Sequence, residues 1–333
     1  MGSKTEMFSS HVLDLDPEIT ANQICEKMRK LLARQLKRRG MVVAISGGID
    51  SSVTLALAVR AIGKQRVLAL QMPERHSAAD TLELSEIVAN HYGIKPILED
   101  ITGILEAVGF YRRYNETVRK VIPEYGDDWK SKIVLPDIME NRGYTLFSIV
   151  ARSPEGETII KRLPLDAYLN IVASTNFKQR IRKVLEYHHA DRLNYAVAGT
   201  PNRLEYDQGF FVKLGDGAAD LKPIAHLYKT QVYQLAAFLD VPEEVRNRPP
   251  TTDTYSLPQG QDEFYFSLPY DKMDLCLYAK NNGVAAERVA EVVQITTEQV
   301  ERIFEDIDTK RKTTRYLHLS PLLIEPVPEI SHP

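Results

Sequence analysis

The chain of 333 residues lacks the features that mark secreted and membrane-spanning proteins. It has only two cysteines, Cys25 and Cys276, which lie far apart in helix-like segments. They predict buried thiols rather than a disulfide framework or a metal site. A run of about 18 apolar residues is absent, so no membrane span is expected. Residues 1–10 are polar and lack the apolar core of a signal peptide, and we expect a cytoplasmic protein.

The charge is nearly balanced, with 42 Lys and Arg against 45 Asp and Glu and a formal net charge of −3. The chain therefore lacks the overall basic surface that nucleic-acid-binding proteins use, and we expect no nucleic-acid partner. Its length allows a large buried core in one large domain or two small ones. A soluble enzyme fits this composition best.

The most informative stretch lies between residues 41 and 62. The apolar residues Met41–Ile45 predict a buried strand, a Ser-Gly-Gly turn follows, and Ser51–Ile62 predicts a helix. A glycine turn that leads into a helix N-terminus presents free backbone N–H groups to phosphate. The lysine of a Walker A loop is absent, and Asp50 stands there instead. An acid beside phosphates implies a magnesium ion between them.

Strands and helices alternate through the first hundred residues. Arg66–Met72 and Lys95–Ile101 predict further strands, and Ser77–Tyr92 predicts a helix with Ser77 as its N-cap. This order favours an α/β fold with a doubly wound, mostly parallel sheet and flanking helices. Ligands of such sheets bind beyond the carboxyl ends of the strands, where the loop 46–51 would lie.

The stretch from Thr102 to Leu165 departs from this alternation. A helix is predicted over Ile104–Val121, and Pro123–Arg142 reads as irregular. Tyr144–Ala151 and Glu157–Leu163 flank a Pro-Glu-Gly turn, which predicts a β-hairpin outside the central sheet. A long helix from Asp166 to Leu193 and a buried strand, Asn194–Gly199, follow.

The strings SGGIDSS, GTPNRLE (199–205), GFFVKLGDGAADLKP (209–223) and LYKTQV (227–232) occur in the order and spacing of one family. The first string resembles the pyrophosphate-binding loop of the ATP pyrophosphatases, and together they resemble the ammonia-dependent NAD synthetases. The resemblance implies the adenine-nucleotide alpha-hydrolase-like fold, with C-terminal helices. It implies one domain over 17–312, an insert at about 102–165 and a tail over 313–333.

The resemblance also implies an activity. Such an enzyme adenylates the nicotinate carboxylate of deamido-NAD with magnesium and ATP, releases pyrophosphate, and forms NAD and AMP when ammonia attacks. A homodimer is implied as well. A nitrilase-like or papain-like glutaminase segment is not visible, so ammonia would be free or supplied by a separate glutaminase.

Where a motif of this chain matches the family, the resemblance also implies the roles of individual residues. Asp50, Lys229 and Asp220 would be catalytic, and Asp50 and Glu205 would bind Mg²⁺. Arg180, Lys213, Asp220 and Lys310 would bind the dinucleotide. The ATP-binding residues would be Ala44, Ile45, Ser46, Gly47, Gly48, Ile49, Asp50, Ser51, Thr200, Lys229 and Thr251.

Two departures from the family pattern concern the acceptor rather than ATP. The segment 102–165 is longer than its counterpart, and Thr309-Lys310 stands where the family places His-Lys. Alternatives therefore remain open: an amide ligase of the same chemistry on another carboxylic acid, a sulfur-inserting RNA enzyme, or a non-catalytic nucleotide-binding module. The adjacent His188 and His189 point apart on a helix and do not predict a metal pair. Phe210 and Phe211 are more typical of core residues than of ligand contacts.

Overall fold

The centre of the protein is a four-stranded, fully parallel sheet. The structure is a computed structural model that describes residues 8–134, 147–249, 254–260, 265–266 and 268–330. The strands of this sheet are β1 (Met41–Ala44), β2 (Val67–Gln71), β3 (Ile97–Leu98) and β7 (Ala196–Ala198). Their order is β3-β2-β1-β7, and the sequence prediction of a mostly parallel, doubly wound sheet is confirmed.

Strand β1 shows why helices cover both faces of the sheet. Its residues are almost all apolar, and alternate side chains enter different cores. Met41 and Val43 enter a core shared with the helices Pro17–Lys30, Ile49–Ile62 and Lys229–Phe238. Val42 enters a core shared with the helices Thr102–Ala107, Phe110–Val121 and Leu165–Leu193. A parallel strand buried on both faces reads as a continuous apolar run, which is how β1 was found in the sequence. The helices are α1 (Pro17–Lys30), α2 (Ile49–Ile62), α3 (Ala79–His91), α4 (Thr102–Ala107), α5 (Phe110–Val121), α6 (Leu165–Leu193), α7 (Arg203–Gln208), α8 (Lys229–Phe238), α9 (Glu243–Arg246), α10 (Tyr270–Asn282), α11 (Ala286–Val293) and α12 (Thr297–Thr314).

Three sequence predictions in this region were wrong in detail. The helix predicted over Ile104–Val121 is two helices, because Gly109 takes a left-handed backbone (φ 73°) between α4 and α5. Helix α2 begins at Ile49 rather than Ser51. The N-cap residue of helix α3 is Ala78 rather than Ser77, and the Ser77 hydroxyl accepts the backbone N–H of Glu74 at 3.1 Å.

The segment predicted as an insert forms a second sheet. Its strands β4 (Lys130–Val134), β5 (Ser148–Arg152) and β6 (Thr158–Arg162) pair antiparallel in that order. The pairing of β5 with β6 confirms the hairpin outside the central sheet, although residues 144–146 of the prediction lie outside the described residues. Strand β4 falls in the stretch predicted to be irregular, so that prediction was wrong. Its partner β5 lies beyond residue 146, and a pairing at that separation leaves no local signal.

The C-terminal helices α10 to α12 form a third core with Leu204 and Tyr228. Cys25 and Cys276 are buried free thiols, as predicted. Among the described residues, no helix is both long and apolar enough to cross a bilayer.

Candidate active site

The site lies where the strand order reverses. The chain runs from β1 outward through β2 and β3, and then returns to β7 on the other side of β1. Loops that follow β1 and β7 therefore diverge and leave a crevice at the carboxyl edge of the sheet, where ligands of open α/β sheets bind. The loop 45–48 follows β1, and Gly199-Thr200 follows β7.

The loop after β1 is shaped by glycine. Gly47 has a left-handed backbone (φ 69°), and an added Cβ would lie 2.7 Å from Cβ of Leu84. Gly48 is the N-cap of α2, and the hydroxyls of Ser51 and Ser52 both donate to its carbonyl at 2.9 Å. The unpaired N–H groups and the positive dipole end of α2 therefore face the crevice, as phosphate binding requires.

Asp50 and Lys229 form an ion pair across this crevice. Asp50 stands in the first turn of α2, and Lys229 is the first residue of α8. The Lys229 Nζ donates to Oδ2 of Asp50, and only 2% of the lysine side chain is exposed. Burial lowers the pKa of Lys229, but the charges of Asp50 and Glu205 outweigh burial and raise it, so the side chain is a fixed cation.

Glu205 completes an acidic pair with Asp50. Asn202 joins the two: its side-chain N–H donates to Asp50 Oδ1 at 3.2 Å, and its amide oxygen accepts the N–H of Glu205 at 3.2 Å. Glu205 lines the cavity, and its Oε2 accepts the backbone N–H of Asn202 at 3.1 Å. Burial and the neighbouring charge of Asp50 raise its pKa to about 8, against the partial compensation of Lys229. Two carboxylates that share a site in this way call for a further cation.

The donor set fits magnesium. Both ligand candidates are carboxylates, the hard oxygen donors that Mg²⁺ prefers, and no cluster of three or more metal-ligating side chains occurs in the described part of the chain. Mg²⁺ is usually bound by one or two carboxylates, with phosphate oxygens and water completing its shell. Asp50 and Glu205 beside a phosphate loop match that pattern.

A residue of the C-terminal helices holds Lys229 in place. Asp274 of α10 is fully buried, and its carboxylate accepts the backbone N–H of Lys229 at 3.2 Å and that of Thr230 at 2.7 Å. It thereby caps α8 from a distant element, since Tyr228, the N-cap residue, carries no short acceptor side chain. Burial raises the pKa of Asp274 to about 7, although these N–H donors oppose the shift.

A large cavity of about 1700 Å³ extends from this centre. Pockets for one small ligand occupy roughly 300–1,000 Å³, so the cavity has room for two nucleotides. Most predicted site residues line it: Ala44, Ile45, Ser46, Gly48, Ile49, Asp50, Ser51, Thr200, Glu205, Lys229, Arg180, Lys213 and Lys310. Gly47 is not among the lining residues, but its left-handed backbone sets the shape of the loop. Thr251 lies outside the described residues.

These features together match one family. The sequence model of the NAD synthase family matches residues 20–123 and 156–315. The chain belongs to the NAD synthase family. The match is interrupted inside the segment where the sequence predicts an insert, and the uncovered residues 124–155 carry β4 and β5.

Relatives and solved structures agree with this membership. The NH(3)-dependent NAD(+) synthetase of Rhizobium meliloti (strain 1021) is 55% identical over 97% of this chain and 97% of its own length. A solved NMN synthetase from Francisella tularensis has a TM-score of 0.64 at 20% identity, over 93% of this chain and 99% of that one. An NH3-dependent NAD synthetase from Campylobacter jejuni has a TM-score of 0.61 at 21% identity, over 93% and 100%. These two structures support the fold.

Three of the residues expected to bind the dinucleotide face the cavity. Arg180 of α6 is exposed there, and its Nε donates to the Lys213 carbonyl at 3.3 Å. The Lys213 Nζ donates to the carbonyls of Tyr316 (2.7 Å) and Leu319 (3.2 Å). Lys310 pairs with Asp306 at 2.6 Å. These three cationic side chains line the same cavity.

Asp220 occupies a different position. It is not among the residues that line the cavity, and its carboxylate accepts the backbone N–H of Val197 at 2.7 Å and the hydroxyl of Tyr187 at 3.3 Å. In this structure Asp220 ties the loop after residue 215 to strand β7. Its expected catalytic and substrate-binding roles stay predictions.

His188 and His189 do not form a metal pair. His189 contacts Glu99 through Nε2 (3.0 Å) and accepts from Arg192 Nε at 2.9 Å, while its ring lies edge-on to that of His188.

Phe210 stacks on Tyr265 and Phe211 on Tyr206, and both phenylalanines also line the cavity. They therefore serve as packed walls of the site.

Several functional residues were missed in the sequence. Asn202 could have been found, because N-R-L-E fits the capping box, with an N-cap acceptor three residues before a glutamate. The structure confirms both halves of that box. Asp274 could not have been found, because its partners lie 44 and 45 residues away. Lys183 and Glu186, three residues apart on α6, form a buried ion pair of 2.6 Å that the sequence analysis also missed.

Proposed function

We propose that this enzyme converts deamido-NAD to NAD. The nicotinate carboxylate attacks the α-phosphate of ATP, pyrophosphate leaves, and ammonia displaces AMP from the acyl adenylate. The observation that carries the proposal is the joint placement of Asp50, Glu205 and Lys229 at the switch point of the sheet, inside a cavity with room for two nucleotides. A pure nucleotide binder has no need of an acidic pair beside a buried lysine.

The ATP half of the mechanism follows from fixed charges. The N-terminus of α2 and the loop N–H groups hold phosphate oxygens, and Lys229 neutralises the charge that develops on the leaving pyrophosphate. Preorganised charges of this kind in a protein interior are typically the largest single contribution to such catalysis. Asn202 and Asp274 keep Asp50 and Lys229 in position, because they hold a side chain and a helix start respectively.

Magnesium would be held by Asp50 and Glu205. When bound, it supplies positive charge that lets two anions, carboxylate and triphosphate, approach each other. The raised pKa of Glu205 supports this assignment, since a cation there removes the repulsion that Asp50 imposes.

Binding of the dinucleotide acceptor is supported by cationic side chains on the cavity wall. Arg180 and Lys213 lie side by side on the cavity wall, where they suit a pyrophosphate group of a dinucleotide. Thr309 lines the same cavity next to Lys310 and offers a short hydroxyl where the family has an imidazole. Losing one such partner costs about 1–3 kcal/mol, so we expect NAD formation with a raised KM.

The test is a reconstitution with purified protein. Incubation with ATP, Mg²⁺, ammonium and deamido-NAD yields NAD and AMP in equal amounts, and omission of any one component abolishes NAD. Arg180→Ala raises the KM for deamido-NAD steeply, whereas the KM for ATP changes little. Release of pyrophosphate with another carboxylic acid, but no NAD from saturating deamido-NAD, would assign the same chemistry to a different acceptor.

Three further properties belong to this proposal. The enzyme acts as a homodimer, which is supported by the exposed apolar residues Leu165 and Val184 on α6 (71% and 64% exposed) and is tested by sedimentation.

Ammonia arrives free or from a separate glutaminase, and a glutamine-supported reaction after addition of such a protein tests this. The cytoplasm is supported by two free buried thiols, which suit a reducing compartment.

A further inference from the structure

The chain that follows the last long helix returns to the cavity. Arg315–His318 form a short 3₁₀ helix directly after α12, and this helix buries none of its residues. Tyr316 and Leu317 nevertheless line the cavity. The match to the NAD synthase model ends at residue 315, so it does not account for this segment. We call residues 315–319 the C-terminal strap.

Two contacts anchor the strap. The ring of His318 lies edge-on to those of Tyr206 and Phe211, with centroids 4.9 Å and 5.1 Å apart. Just before the strap, Thr314 packs so closely on Gly209 that an added Cβ would lie 2.3 Å from the threonine Cβ. The strap is therefore held against α7 and the chain segment that follows α7.

Lys213 connects the strap with the cavity wall. Its Nζ donates to the carbonyls of Tyr316 at 2.7 Å and Leu319 at 3.2 Å, and lies 5.5 Å from the centroid of the Tyr316 ring. Its backbone carbonyl accepts Nε of Arg180 at 3.3 Å. An ammonium group has three N–H donors. The strap engages two of them and leaves the third for an anion in the cavity.

The partners of Lys213 in the strap are neutral, which distinguishes it from Lys310. Lys310 pairs with the carboxylate of Asp306 at 2.6 Å, so much of its charge is balanced within the protein. Carbonyl oxygens and an aromatic ring orient an ammonium group without neutralising it. The four-carbon stem of a lysine is otherwise flexible, and ordering it during binding costs affinity. The strap therefore supplies a cation that is ordered in advance and keeps its charge.

We propose that the C-terminal strap is a positioning element that holds Lys213 for the pyrophosphate of deamido-NAD. The inference rests on the proposed function. Tyr316 is a positioning residue in this arrangement, because it acts through Lys213. The strap contacts the acceptor lysine and the rings beside α7, so we expect it to change affinity for deamido-NAD and to leave ATP binding and kcat unaffected.

The test loosens the strap in the full-length protein. Tyr316→Gly combined with His318→Ala removes the ring beside Lys213 and the anchor on α7. Calorimetry is then expected to give a Kd for deamido-NAD that is about five- to thirtyfold higher, because the lysine must be ordered during binding. The KM for ATP and kcat change less than about twofold, as does the Kd of Tyr316→Phe, which keeps the ring.

Lys213→Met shows whether the strap acts through the lysine. In Lys213→Met protein the same two strap substitutions raise the Kd by less than about twofold more, because the group that they position is gone. Leu322→Ala is the matched control. Leu322 is 80% exposed, follows the strap and is not among the residues that line the cavity, so its substitution leaves the Kd unchanged.

Thermal unfolding first establishes that each variant is folded. An unchanged Kd in the loosened variant would overturn the strap, and so would an equal rise in Lys213→Met protein. A lower Kd would overturn it as well, because the strap would then block the lysine. Wild-type protein that binds deamido-NAD but forms no NAD overturns the proposed function alone, since the binding series still decides the role of the strap.

Discussion

The backbone N–H of Lys229 donates to the carboxylate of Asp274 at 3.2 Å, so a C-terminal helix holds the lysine that pairs with Asp50. The C-terminal helices pack around their own core, which includes Leu204 and Tyr228. This contact ties that core to the Asp50–Lys229 ion pair. Movement of α10 relative to the sheet would displace Lys229 from Asp50.

The first prediction concerns Asp274. In Asp274→Asn one accepting oxygen is replaced by an amide N–H, which cannot accept from the backbone. We expect a loss of about 1–2 kcal/mol in the free energy of unfolding, typical of a lost cap, and a larger fall in kcat than in affinity for deamido-NAD. Urea unfolding and steady-state kinetics measure the two effects. Asp271→Asn, an exposed residue one turn earlier in α10, is the matched control and changes neither.

The second prediction concerns the Asp50–Lys229 pair. Asp50→Asn reduces pyrophosphate release by about 10²–10³-fold, because a charge that organises the phosphates is lost. It also destabilises the protein by several kcal/mol, since Lys229 stays buried with one partner fewer. The double variant Asp50→Asn with Lys229→Met recovers part of that stability but none of the activity. Full activity in Asp50→Asn would remove this carboxylate from the mechanism.

The third prediction concerns pH. The pKa of Glu205 is raised in the folded protein to about 8 from the ordinary 4.5. Between these values the folded protein holds a proton that the unfolded chain has released, so stability falls as pH rises through this window. In Glu205→Gln this contribution is absent. We therefore expect the wild type to lose more stability than the variant between about pH 5 and about pH 8, without added metal.

The same measurement with magnesium gives the opposite trend. A bound cation favours the ionised carboxylate, so Mg²⁺ and ATP protect the wild type more at about pH 8 than at about pH 5. Glu205→Gln loses most of this protection. Equal slopes for wild type and variant in both conditions would contradict the raised pKa.

The fourth prediction concerns the phosphate loop. Gly47→Ala places a Cβ 2.7 Å from that of Leu84 on a left-handed backbone, so we expect a loss of about 1–3 kcal/mol in stability and weaker ATP binding. Gly103→Ala is the matched control. Gly103 lies in α4 with no atom within 4 Å of an added Cβ, and the substitution stabilises the protein by about 0.5–1 kcal/mol. Thermal unfolding and ATP titration distinguish the two variants.

Local patterns in the sequence were sufficient for the phosphate loop and for the parallel sheet around it. Strand β1 and helix α2 could be predicted from about twenty residues of sequence. A continuous apolar run, a glycine turn and a helix start are all local signals. The motifs 199–205 and 227–232 likewise placed Glu205 and Lys229 correctly beside the loop. Helix α6 was predicted to within one residue, since its pattern is long and uninterrupted.

Only the tertiary structure decided how these pieces act together. Asp50 and Lys229 are 179 residues apart, and Asp274 reaches Lys229 from another helix, so no local pattern relates them. Strand β4 exists because β5 pairs with it, and Phe147, next to β5, stacks on Tyr168 of α6, 21 residues away. Short-range backbone preferences determine elements, whereas packing between distant elements determines which charged groups are buried together. Burial and the neighbouring charge of Asp50 together raise the pKa of Glu205.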